Sequence, residues 1–337
     1  MAKESTLSVK SAGSIDFTFM SPRFSTEFSE DISNGIAYLE EHGYVVWKDI
    51  ANENEIKKAY DLFWDWAEQY GEHDISRYNV ASWRDLPCNN RGIIWNGGIG
   101  QSHFLWYIRG LPNVKKVFST IWNDDKLLVS YDGCSVFRPS AYNPTWQTEG
   151  GWYHVDQNPK EKPGKECIQG LFSVLDQNET TGGLVVVPGS HKHFASLRSI
   201  TRDPISDLVE IPSNHWTIQR PKPRLVKCKA GDLVLWDSRT IHCNSPALVN
   251  NPSSISPAPE LNRLMRLVAY ICMTPVSKAG SMKDLAELRE GRLEAVQKGI
   301  TTNHWPHEYY GGCEPSSNEK NPHVQLNEQQ MNLVVGK

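Results

Sequence analysis

The spacing of hydrophobic and polar positions changes about a third of the way along this 337-residue chain. Between Phe24 and His42 the apolar residues Phe28, Ile32, Ile36 and Leu39 recur at helical intervals, and Gly43 supplies a stop. Tyr44–Trp47 reads as a short strand. A second helix is predicted over Glu55–Tyr70, capped by Asn52 or Asn54, with Ile56, Ala59, Leu62, Phe63 and Trp66 on its buried stripe. A loop rich in Arg, Asn and Gly runs to about Gly100, and a third helix is predicted over Val114–Trp122.

From Leu127 the period shortens. Strand-like runs occur at 127–137, 150–156, 166–176, 184–187, 215–227, 232–236 and 264–273, separated by Gly, Pro, Asn and Asp clusters. Many short strands divided by turn residues predict an antiparallel sandwich or barrel of the jelly-roll kind. Residues 250–259 read as a loop, and Met282–Gly299 returns to helical pattern. The expected fold class is therefore α+β, with helices packed on a β core over about 127–275 and a helical extension after it. In this reading residues 1–25 form a flexible polar arm, 26–310 a single domain and 311–337 a tail.

Composition removes several function classes. A formal net charge of −4 leaves no electrostatic footprint for nucleic acid. No window approaches the roughly 20 apolar residues of a membrane span, and the first residues lack the apolar core of a secretory signal. Most of the seven scattered cysteines, which include no CxxC, read as buried small hydrophobes in a reducing, cytoplasmic compartment. The expected partner is a small-molecule substrate, without nucleic acid or membrane. Among the twelve tryptophans, Trp146, Trp152 and Trp236 flank the residues considered next and would suit the walls of a shaped pocket.

Those residues are His154 and Asp156, in Tyr153-His154-Val155-Asp156-Gln157, and His242, 86 positions after Asp156. On a strand, residues i and i+2 share a face, so His154 and Asp156 can reach one metal while Val155 points away. Two imidazoles and a carboxylate on one face leave coordination positions open, the arrangement of non-haem Fe(II) oxygenases. A His-x-Asp pair by itself reads better as a hydrogen-bonded core histidine and its neighbour than as a metal site.

Two further segments change that balance. Thr181-Gly182-Gly183-Leu184-Val185-Val186-Val187-Pro188-Gly189-Ser190-His191 resembles the GxLxxxPGSH signature of the phytanoyl-CoA dioxygenase family. Lys229-Ala230-Gly231-Asp232-Leu233-Val234-Leu235-Trp236, continuing to His242, resembles the family's strand leading to the distal histidine. The resemblance spans roughly 127–275. It implies a double-stranded β-helix (jelly-roll, cupin-like) core and a non-haem Fe(II)/2-oxoglutarate-dependent dioxygenase with O2 as oxidant. His154, Asp156 and His242 would ligate iron, with His191 and His193 outside the ligand set. A strand arginine would bind the far carboxylate of 2-oxoglutarate, ideally as a bidentate pair. In the family it follows the distal histidine by about eleven residues. Here Arg263 and Arg266 lie 21 and 24 residues on, and Arg266, which opens the strand Arg266-Leu267-Val268-Ala269-Tyr270, is the expected one. Asn244 falls where the family often places a polar residue near the co-substrate.

The implied reaction is oxidative decarboxylation of 2-oxoglutarate to succinate and CO2, coupled to hydrogen abstraction from an unactivated C–H bond. Hydroxylation is the default outcome, with desaturation or oxidative cyclisation, as in kainoid-type biosynthesis, from the same chemistry. The expected substrate is small and polar or amino-acid-derived; Arg91, Arg109 and Arg138 are candidates to pair with a carboxylate on it, against the plainer reading of each as a surface or structural ion pair. The alternatives are a cupin-type metalloenzyme that does not use 2-oxoglutarate, and a non-catalytic jelly-roll binding protein.

Overall fold

A computed structural model describes residues 15–70, 74–203, 206–219, 221–248, 260–308, 311–315 and 324–337. Its strands are β1 (Arg23–Phe24), β2 (Tyr44–Trp47), β3 (Ile93–Ile94), β4 (Leu127–Val129), β5 (Cys134–Phe137), β6 (His154–Val155) and β7 (Ile168–Ser173), followed by β8 (Gly183–Val186), β9 (Val209–Glu210), β10 (Arg224–Leu225), β11 (Leu233–Asp237), β12 (His242–Ser245), β13 (Arg266–Tyr270) and β14 (Met273–Pro275). Its helices are α1 (Ser29–His42), α2 (Glu53–Ala67), α3 (His103–Arg109), α4 (Pro112–Trp122), α5 (Trp216–Gln219), α6 (Met282–Lys298) and α7 (Glu328–Val335).

Two sheets carry the core. The larger runs β1-β2-β11-β7-β13-β5-β3 and the smaller β10-β8-β12-β6-β9, with β14 and β4 paired separately. One apolar cluster draws Tyr44, Val46, Leu171, Val234, Trp236 and Val268 from the larger sheet and Leu184 and Val186 from the smaller. The sheets therefore face each other across a common interior. Alternation sends Val45, Trp47, Phe172, Leu233, Leu235, Leu267 and Ala269 to the opposite face, where they pack with the apolar stripes of α2, α3 and α4. Because both faces of the larger sheet are covered, β2, β5, β7 and β11 are buried along their whole length.

The helical expectations hold with shifted ends. Asn52 caps α2 through a reciprocal box with Glu55, so the helix starts at Glu53 and stops at Ala67. Helix α1 begins only at Ser29, and Phe28 is 64% exposed rather than part of the buried stripe. Gly43 closes α1 with φ 78, and its N–H returns to the Leu39 carbonyl. A side chain there would collide with Thr240 Oγ1 and His191 Nδ1, so only glycine lets the helix end meet the loop before His242.

Other expectations are corrected. Residues 215–227 are not one strand: α5 and β10 occupy them, because Trp216–Gln219 closes a helical turn. Part of the predicted arm is built in, since β1 pairs parallel with β2 and Ser21 and Ser25 are buried; residues 1–14 lie outside the described residues. Part of the predicted tail is likewise core, with Leu333 and Val334 of α7 buried. The loop expected at 250–259 lies outside the described residues. Among the described residues no helix is long and apolar enough to cross a membrane.

Candidate metal centre and active site

His154 on β6 and His242 on β12 are direct cross-strand partners in the smaller sheet. Opposed residues on adjacent antiparallel strands project from the same face, so the register alone brings the two rings together, with centroids 4.3 Å apart. Asp156 lies one residue beyond the assigned end of β6, where the chain bends. Its Oδ1 is 3.4 Å from His154 Nε2 and its Oδ2 is 3.2 Å from His242 Nε2. One ligand atom from each of the three residues falls within 4.8 Å of the others.

The ring orientation follows from the partners on the far side. His154 Nδ1 is 3.0 Å from the Trp152 carbonyl, and His242 Nδ1 is 2.9 Å from the Thr240 carbonyl. A carbonyl only accepts, so each Nδ1 carries a proton and each Nε2 is the ring atom turned toward Asp156, free to give up its proton and bind a metal. This is the tautomer a metal requires, fixed by an outer hydrogen bond. Gln169 Nε2 donates to Asp156 Oδ2 at 2.9 Å, and His304 Nε2 donates to the Asp156 carbonyl at the same distance. Burial, then the adjacent His154, pushes the His242 imidazole below its ordinary value. Burial also works against the Asp156 carboxylate, but His154 and His242 outweigh it and hold that group well below the usual carboxylate range. The histidines are almost enclosed while the Asp156 side chain is 20% exposed, so the open side of the cluster is the carboxylate's.

Arg266 opens β13 with its side chain fully buried, whereas Arg263 is exposed in the turn before it. Arg266 Nε donates to Gln177 Oε1 and Nη1 to Ser135 Oγ, both at 2.8 Å, and the guanidinium lies 5.0 Å from the centre of the Phe137 ring. Both acceptors are neutral, and Nη2 is buried with no partner. A buried cation facing neutral groups, with a donor left over, is the complement of a carboxylate that enters with a ligand. The chain thus offers a fit for both groups the sequence implies: a facial ligand set for a ferrous ion and a guanidinium for an oxoacid. Asn244 is buried two residues beyond His242 on the same face of β12, opposite Leu184.

The remaining candidates separate. Arg109 is fully buried and donates to the Gly100 and Asp132 carbonyls, so it ties loops together. Arg138 donates to the Trp83 and Arg84 carbonyls and stacks on Trp146. Arg91 lies over Trp152, whose ring stacks on His154 at 4.7 Å with 19° between planes. Trp236 is 5.3 Å from the His242 ring. His191 instead donates from Nε2 to the Glu40 carbonyl, anchoring the Pro-Gly-Ser-His turn to α1, and His193 meets the Trp216 ring. Sequence reasoning does not find Gln169, Gln177, Ser135 or His304. Gln169 and Ser173 do leave a trace, as polar positions at strand spacing within the otherwise apolar β7.

Comparison with known proteins agrees with this geometry. A model of the phytanoyl-CoA dioxygenase family matches residues 112–247, a stretch that contains all three clustered side chains. The chain is 26% identical over 259 residues to the Ava biosynthesis cluster protein O of Aspergillus versicolor, covering 73% of this chain and 77% of that one. It is 22% identical over 292 residues to a putative phytanoyl-CoA dioxygenase of Dictyostelium discoideum, covering 74% and 77%. The GlcNAc Inducible Gene 2 protein of Candida albicans shares the fold at 12% identity and a TM-score of 0.54, over 93% of this chain and 83% of that one. The core is a double-stranded β-helix. Over residues 112–247 the chain is similar to phytanoyl-CoA dioxygenases, and with the clustered triad this defines its class as a non-haem oxygenase that uses Fe(II), 2-oxoglutarate and O2.

Proposed function

We propose that this enzyme couples decarboxylation of 2-oxoglutarate to oxidation of an unactivated C–H bond in a small, polar or amino-acid-derived metabolite. His154, Asp156 and His242 hold the iron, Arg266 binds the far carboxylate of 2-oxoglutarate, and Asn244 borders it. Hydroxylation is the default, with desaturation or ring closure of the kainoid type as the alternative outcome. The observation that carries this reading is Arg266, fully buried beside the common interior with an unpartnered Nη2. A cupin-type metalloenzyme without an oxoacid, or a non-catalytic jelly roll, has no use for that uncompensated charge.

Bound iron supplies O2 activation and the one-electron chemistry that opens a C–H bond. The chain supplies position. The Trp152 and Thr240 carbonyls fix the imidazole tautomers, Gln169 fixes the carboxylate, and Ser135 and Gln177 fix the guanidinium. Trp152 and Trp236 exclude water beside the two histidines. The biosynthesis-cluster relative supports a role in specialised metabolism. Five buried free cysteines suit a reducing, cytoplasmic setting.

Anaerobic titration with Fe(II) and 2-oxoglutarate tests the reading through the visible charge-transfer band of the ternary complex and through iron stoichiometry. Wild type forms the band; His154→Ala and Asp156→Ala lose both band and bound iron. Retention of both by either variant would falsify the ligand assignment.

A further inference from the structure

Sequence offers three arginines for a substrate carboxylate, and two of them are tied to backbone carbonyls, Arg109 through Nη1 and Nη2 and Arg138 through Nη1. Arg91 is the exception. Its guanidinium carbon lies 4.4 Å from the centre of the Trp152 ring, and that ring is stacked on His154. The cation is therefore a single indole away from a proposed iron ligand. Among the described residues its one charged neighbour is Glu149, at 4.0 Å the outer limit of an ion pair, with side chains 29% and 56% exposed. A pair that open and that long is weakly held.

The backbone beneath Arg91 is fixed. The Asn89 side chain accepts from the Arg91 and Ile93 N–H groups, the Gly92 N–H returns to the Asn89 carbonyl, and Gly92 takes φ 76. The facing wall is tied to the same turn, with Glu149 N–H donating to the Asn90 carbonyl and Trp152 Nε1 donating to the Glu149 carbonyl. A guanidinium held over an indole by cation–π attraction uses none of its N–H groups as hydrogen-bond donors to that ring, which leaves them available to a planar acceptor. Its position is set before any ligand arrives, which lowers the ordering cost of binding.

We propose that Arg91 is the substrate clamp of this active site and that the substrate is a carboxylic acid, held by a bidentate pair at Arg91 with Trp152 between that pair and the iron. The proposal rests on the oxygenase reading above and names the substrate class for it. An incoming carboxylate replaces Glu149 as the neighbour of Arg91.

Matched probes test this with the full-length, iron-loaded enzyme: a panel of N-acetyl amino acids, aliphatic and aromatic, and the same compounds as primary amides. The readouts are CO2 release from 2-oxoglutarate and quenching of tryptophan fluorescence on binding. Wild type is expected to favour acids over amides by about tenfold or more in kcat/KM, because a site built for a carboxylate leaves its donors unpaired with an amide. Arg91→Gln is expected to bring that ratio to about one through KM, with weaker quenching by the acids. Arg91→Lys is expected to recover part of the preference. Arg84→Gln, a control at a 75%-exposed arginine, keeps the wild-type ratio. Equal response to acids and amides in wild type, no response to any acid, or an undiminished ratio in Arg91→Gln overturns the clamp. Wild type that releases no CO2 and forms no co-substrate band removes the oxygenase reading as well, so the two failures are distinguishable.

Discussion

Arg266 and Arg292 are both buried, at 0% and 3% exposure, yet their surroundings differ in kind. Arg292, on α6, donates to the Val129, Pro306, Leu333 and Val334 carbonyls and lies 4.5 Å from the Tyr131 ring. It joins β4, α7 and the segment after α6, and its acceptors all belong to the protein. Arg266 has two neutral side-chain acceptors and a spare donor. Burial therefore does not separate a structural arginine from a binding one, and neither does a leftover donor, since Arg109 Nε is also buried without a partner; the difference is that Arg292 and Arg109 are held by backbone carbonyls and Arg266 by neutral side chains. A guanidinium whose three nitrogens all donate to backbone carbonyls, as in Arg292, ties the fold together, and one that faces the common interior with only neutral side-chain partners, as in Arg266, suits the carboxylate proposed for it.

The largest expected effect breaks the structural member. Arg292→Ala leaves four carbonyls without their donor and should cost about 3–5 kcal/mol in denaturant unfolding, with the 2-oxoglutarate requirement of the folded fraction unchanged. Next comes the binding member. Arg266→Ala should raise the 2-oxoglutarate requirement about 100-fold, roughly 2.7 kcal/mol, with iron still bound and unfolding still cooperative. Added 2-oxoglutarate should raise the thermal midpoint of iron-loaded wild type but not of this variant. Equal stability losses in the two variants would erase the distinction.

Acid should reach the structural end through His307, next to the Pro306 carbonyl that Arg292 uses. Burial holds its imidazole down from 6.5 to about 4. The unfolded chain therefore takes up this proton first, and stability falls as pH drops from about 6.5 to 4, by roughly 2–3 kcal/mol. His307→Asn, which can keep the hydrogen bond to Thr274, should flatten that part of the profile in calorimetry. The smallest effect refines the binding end: Gln177→Leu removes the acceptor of Arg266 Nε and should raise the 2-oxoglutarate requirement about tenfold without loss of iron.

What could be read from sequence tracks how local the cause is. The α2 cap, the Gly43 stop and the strand parity of His154 with Asp156 depend on neighbours a few residues away, and all are visible in the chain. Arg266 and Arg263 separate because the first opens β13 and is buried, while the second sits in the exposed turn before it. The apolar pattern over 215–227 conceals a helical turn, because a short buried run fits either period. Helices α3 and α7 went unpredicted: α3 is only His103–Arg109, and α7 lies in a stretch whose buried face exists only through tertiary contact. Gln169 and His304 reach Asp156 from 13 and 148 positions away, and no local pattern announces a hydrogen bond closed over such separations.

The bond from His304 has one more consequence. The carbonyl of Asp156 is gripped by an imidazole that the chain supplies long after both histidines of the cluster are in place, and Cys167 donates to the carbonyl of that same His304. A fragment ending at the distal-histidine strand would keep the three clustered side chains and lose both Arg266 and the brace behind the carboxylate. Recombinant pieces trimmed to the family-matched window 112–247 would therefore be poor surrogates for the whole chain.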